Sequence, residues 1–173
     1  MPAPKVPAPM PAVIDHSRML AIIGVCDDTA KLHNWIENAG KKREPIIGNA
    51  AFRRLVSISP AEEKGTVEHD FWQSIYALEL VLSAENKKTT RLSRTRQKFK
   101  RVEVVQTLKD LAMSKKPSAG FAMLLDRDMP ELTAEAVVLR HGVVFDEVVQ
   151  SAARERLSGA GVDVSTLPTV PSL

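Results

Sequence analysis

Between Lys87 and Arg101 the chain carries Lys87, Lys88, Arg91, Arg94, Arg96, Lys98, Lys100 and Arg101, eight cations in fifteen positions with no acid among them. Such side chains neutralise phosphates, and each phosphate contact releases condensed counterions from a nucleic acid. The planar fork of arginine also matches the oxygens of a phosphate. Thr89, Thr90, Ser93 and Thr95 add hydroxyls that reach phosphate oxygens or base edges. The remainder of the protein is acidic: its formal charge is +3, from 24 Lys and Arg against 21 Asp and Glu, and without the block 16 cations would face 21 acids. A polyanion is therefore steered to one patch. These eight residues are the candidate binding site, with nucleic acid as the expected partner, DNA ahead of RNA, in a regulatory or accessory role. The alternative is a helical protein-interaction adaptor whose basic face meets an acidic partner. An anionic membrane surface fits less well, because only Phe99 would serve as a large anchor.

Catalytic constellations are weak by comparison. His16, His33, His69 and His141 stand far apart, none at the spacing of paired helical metal ligands. Cys26 with Asp27 and Asp28 suggests a nucleophile or a carboxylate pair, but a cysteine after an apolar run suits a core, and the aspartates suit a helix cap. Glu68, His69 and Asp70 precede an apolar helical stripe and are expected to serve its positive N-terminal end. Asp126 and Asp128 flank Arg127 without a further acidic ligand. Gly24, Gly40, Gly48 and Gly65 stand alone, so there is no phosphate loop, and no serine lies in a nucleophile elbow. No catalytic residue, metal ligand or cofactor is assigned, and an enzyme is the third reading.

The elements that must position the basic block read as helices. At about 100° per residue, a helix over 90–102 places Leu92, Thr95, Phe99 and Val102 in one quarter of its circumference, a seam that can be buried. Arg91, Arg94, Lys98 and Arg101 then lie on one flank and Arg96 with Lys100 on the other, all six reaching solvent. A turn near Glu103–Gln106, followed by a helix capped at Thr107 with Asp110 three residues on, would complete a helix-turn-helix, although that turn's usual glycine is missing. Upstream, Phe71, Ile75, Leu78 and Leu82 recur at helical steps and predict a central helix over about 70–85, with Trp72 and Tyr76 as a second stripe.

Other signals are caps and stops: Asp15 or Ser17 before a first helix, Gly40 after a second, Asn49 opening a third, and Ser118, Thr133 and Asp146 opening later ones. The last of these is expected to turn Val148, Val149 and Ala152 inward and Arg154, Glu155 and Arg156 outward. The expectation is a mainly α fold of about six to eight helices in one domain over residues 13–158. A Pro-rich extended arm (1–12) precedes it and an irregular tail (159–173) follows, and residues 1–11 and 162–173 are expected to be dispensable for folding. The alternative is a small α/β fold with strands at Met19–Val25, Val102–Val105 and Val143–Phe145. No apolar run approaches the roughly 20 residues that span a bilayer. With Cys26 as the single cysteine and five prolines in the first eleven residues, a cytoplasmic location is expected.

Overall fold

The computed structural model describes residues 15–99 and 103–169; the Pro-rich arm lies outside them, as do Lys100, Arg101 and Val102. Every regular element among these residues is a helix, and the fold is mainly α. Among the described residues the strands of the α/β alternative are not formed. Ser17–Gly24 is the first helix, Val104 and Val105 open another, and Gly142–Val144 is a single 3-10 turn. Residues up to Leu55 and residues from Val56 onward form two compact units.

The first unit contains α1 (Ser17–Gly24), α2 (Thr29–Lys42) and most of α3 (Pro45–Ile58). Asp28 caps α2, accepting from the Lys31 amide at 3.1 Å. Helix α3 starts four residues before Asn49, at Pro45, whose fixed φ suits the first helical position. Gly48 lets α3 approach α2 closely, since a Cβ there would sit 3.3 Å from Ala39 Cβ. Asp27 is held by Arg54, which also donates to the Cys26 carbonyl. The Cys-Asp-Asp run thus closes a turn.

The second unit is built on α4 (Val67–Asn86), α5 (Ser93–Phe99), α6 (Val104–Met113), α7 (Ala119–Leu125), α8 (Ala134–Arg140) and α9 (Glu147–Gly159). Its core gathers Phe71 and Ile75 of α4, Leu108 of α6, Val137 and Val138 of α8, and Val149 of α9. Each such burial contributes on the order of 1.5–3 kcal/mol. On α4 the expected stripe is buried at Phe71 and Ile75 and half-buried at Leu78 and Leu82. Thr66, Ser118, Thr133 and Asp146 cap α4, α7, α8 and α9 through their side chains.

Three expectations change in this unit. On α9 Val149 faces the core, while Val148 is exposed and Ala153 and Leu157 take the inward positions. Arg156, expected outside, bonds buried Glu135 of α8 at 2.8 Å and the Leu111 carbonyl at 2.7 Å, tying α9 to α8 and the end of α6. The tail beyond α9 also packs: Val162, Val164 and Leu167 are half-buried, and Arg140 Nε donates to the Pro168 carbonyl at 3.3 Å. The apolar residues at 162, 164 and 167 carry no helical period, so they read as a loose end until something is there to cover.

Candidate nucleic-acid interface

Helix α4 ends at Asn86, and Lys87 takes the left-handed conformation, φ 52°, that turns the chain back. The returning stretch is fastened to α4 by two side chains. Ser83 Oγ accepts from the Thr90 amide at 2.8 Å. One turn earlier, Glu79 accepts from the Leu92 amide at 2.9 Å and from Arg96 Nε and Nη2, each at 2.7 Å.

Glu79 is 7% exposed. Its burial would raise its pKa, but the Arg96 fork and the Leu92 amide outweigh that and hold the carboxyl below the ordinary glutamate value. The guanidinium of Arg96 lies 4.9 Å from the centre of the Trp72 ring and 5.2 Å from that of Tyr76. Trp72, Tyr76 and Glu79 follow at steps of four and three, so one face of α4 offers two rings and a carboxylate to a single arginine.

Apolar contact completes the docking of α5. The ring of Phe99 meets Phe71 edge-on with centroids 4.2 Å apart and Trp72 at 5.8 Å, and Leu92 packs on the same core. The expected seam therefore packs inward at Leu92 and Phe99, and Val102 falls outside the described residues.

The eight candidate cations separate into three groups. Lys87, Lys88, Arg91 and Arg94 are exposed, and none of them lies within 4 Å of a carboxylate among the described residues. Arg96 is half-buried and committed to Glu79, so the expectation that it reaches solvent freely is corrected; what binds it is a carboxylate one helix away. The side chain of Lys98, and Lys100 and Arg101 entirely, lie outside the described residues.

Arg91 of the exposed group lines a hollow of about 520 Å³ together with Trp72, Ser93, Arg96, Gln97, Phe99 and Val104. It joins aromatic surface to guanidinium, amide and hydroxyl groups, the combination that seats an unstacked base beside its phosphate. Its aromatic wall, Trp72, was legible only as part of a helical stripe.

The helix-turn-helix geometry is not formed as expected. Glu103 is the N-terminal boundary of α6, so Val104–Gln106 is its first turn and not a connection. Thr107 is no cap: it is buried, and its hydroxyl hydrogen-bonds to no described group. Burial of Val104, Val105 and Leu108 at helical spacing sets the start of α6, which overrides the capping preference of Thr107 and Asp110.

One cluster of titratable groups escaped the sequence because its members are some 70 residues apart. Asp70 of α4 receives Arg140 Nη1 at 2.9 Å, lies 2.8 Å from His141 Nε2, and has His69 Nδ1 at 3.4 Å. Burial opposes its ionisation, yet the bonds from His141 and Arg140 prevail and keep its pKa well below the usual aspartate value. His69, Asp70 and His141 are all buried, which makes the group a clamp between α4 and the end of α8. Glu68 and Asp70 lie in the first turn of α4, as expected, and Asp70 serves this clamp as well, while Thr66 does the capping. Among the described residues no three His, Cys, Asp or Glu side chains are grouped to hold a metal ion, and no helix is long and apolar enough to cross a membrane.

Comparison with protein families, with curated proteins and with solved structures finds no match for this chain.

Proposed function

We propose that the protein binds nucleic acid, single strands in preference to duplex, through the basic segment 87–101. The observation that carries this reading is the exposed set Lys87, Lys88, Arg91 and Arg94, one of which, Arg91, lines the Trp72–Gln97 hollow. Phosphates would lie along the four cations, and one base would enter the hollow against Trp72 or the Arg96 plane. The Glu79 bonds to Arg96 and to the Leu92 amide hold residues 92–96 against α4, so little ordering cost falls on binding there.

The test is a competition titration by fluorescence anisotropy, in which a labelled single-stranded oligonucleotide is displaced by unlabelled single-stranded DNA, single-stranded RNA or duplex DNA. Either single strand should compete at least tenfold better than the duplex. Replacing Trp72 with leucine should remove most of that preference while leaving far-ultraviolet circular dichroism unchanged. Equal competition by all three would reduce the site to a non-specific cationic patch. Failure of every nucleic acid to bind would favour an acidic protein partner on the same face.

A further inference from the structure

On the other side of α5 from the Trp72 hollow lies a second, half-open cavity of about 460 Å³, bordered by α4, α5, α6 and the start of α7. Its walls are almost wholly apolar, with Phe71, Ile75, Leu78, Leu92, Phe99 and Leu111 as the main contributors. The volume falls within the roughly 300–1,000 Å³ of small-molecule sites, which combine an apolar lining with a few placed polar groups.

Two polar groups on this wall lack partners. Thr107 is 3% exposed, and its hydroxyl has no hydrogen-bond partner among the described residues. A hydroxyl on a helix can usually bond back to a carbonyl three or four residues earlier, so an orphan at this depth calls for an explanation. Arg94 also lines the cavity, is exposed, and forms no ion pair among the described residues. A half-open apolar hollow, one buried hydroxyl without a partner and one cation open to water describe a ligand with the complementary parts.

We propose that this cavity binds an amphipathic monocarboxylate whose apolar body carries one further oxygen. The body fills the space under α5. The carboxylate pairs with the Arg94 guanidinium, and the second oxygen, a hydroxyl or a carbonyl, hydrogen-bonds to Thr107 Oγ1. The proposal shares Arg94 with the nucleic-acid face but does not depend on that reading, and its assay contains no nucleic acid, so the two can fail separately.

Isothermal titration calorimetry on the full chain, with probes held below their critical micelle concentrations, tests it with 3-hydroxydecanoate, decanoate and decyltrimethylammonium. The hydroxylated acid should bind about five-fold more tightly than decanoate, as one hydrogen bond implies, and the cation should not bind. Thr107→Val should bring the ratio of the two acids to about one. Arg94→Ala should weaken both acids about tenfold and leave their ratio intact. If Thr107→Val does not fold, the parent provides the reading through nuclear Overhauser contacts. Contacts from the ligand chain to the Leu78, Leu92 and Leu111 methyls support the proposal, and their absence overturns it. It is also overturned if neither acid binds below millimolar concentration, if the cation binds as well as the acids, or if the ratio survives Thr107→Val. Sedimentation showing a dimer that Leu82→Asp dissociates would assign the cavity to a second copy of the chain, and overturn it likewise.

Discussion

Replacing Glu79 with alanine should detach the basic segment from α4, and the structure gives the size of the effect. The side chain accepts three hydrogen bonds, two from the Arg96 fork and one from the Leu92 amide, while 7% exposed. Removing one partner of a buried ion pair costs about 3–5 kcal/mol, mostly because the other charge is left without compensation. Arg96 retains 24% side-chain exposure and can turn toward water, so the lower end applies, about 3 kcal/mol. At about 2–4 °C per kcal/mol for a chain of this size, the melting temperature should fall by about 6–12 °C. Urea unfolding measures the cost, and hydrogen exchange locates it: the Leu92 amide should lose protection while the Leu108 amide in α6 keeps most of its own. Arg96→Met preserves the aliphatic stem against Trp72 and Tyr76, so a double-mutant cycle with Glu79→Ala should return a coupling of about 1–3 kcal/mol. A cost below about half a kcal/mol, with exchange at Leu92 unchanged, would refute the account of how this segment is held.

Thr107→Val should stabilise the unliganded protein by about 1 kcal/mol, since it removes a buried hydroxyl without a partner at nearly constant volume; loss of stability on denaturant titration would mean that the hydroxyl is bonded. Asp70 has a pKa lowered on folding, so its contribution is full above the unfolded value of about 3.9 and is lost as pH falls below it. Asp70→Asn should therefore cost stability at neutral pH and flatten the decline of melting temperature between about pH 4 and pH 2, where an unchanged decline would remove Asp70 from the acid response. Ending the chain after Gly161 removes three half-buried side chains and the Pro168 carbonyl, and should cost about 2 kcal/mol; an unchanged melting temperature would restore the tail to a dispensable end.

Local chemistry made much of the second unit legible. Ser118, Thr133 and Asp146 cap the helices their positions announce, and the Phe71–Ile75 stripe lies in the core. The misreadings have a common cause, which is burial overriding local preference. Thr107 and Asp110 have the spacing of a capping box, yet Val104, Val105 and Leu108 carry α6 four residues further back. The clamp of Asp70 with Arg140 and His141 could not be read, because nothing local pairs residues 70 positions apart. Arg96 lies between. Its partners Trp72, Tyr76 and Glu79 share a helix face in the sequence, but only the return of the chain at Lys87 brings the arginine to them. One cation thus joins the internal structure, and Lys87, Lys88, Arg91 and Arg94 are left facing outward.

The most direct test of nucleic-acid binding by this face is the salt dependence of affinity for a single-stranded oligonucleotide, compared between the parent chain and the variant Lys88→Ala, Arg91→Ala, Arg94→Ala. All three side chains are exposed and none has a carboxylate within 4 Å among the described residues, Arg91 acting on Glu79 only at longer range, so the variant should melt within a degree or two of the parent. Each phosphate contact adds about 0.7 to the slope of log affinity against log salt for a single strand, so the variant's slope should be shallower by about two. A variant that stays folded and binds as tightly as the parent, with the same slope, would contradict the assignment of the basic segment as the nucleic-acid surface.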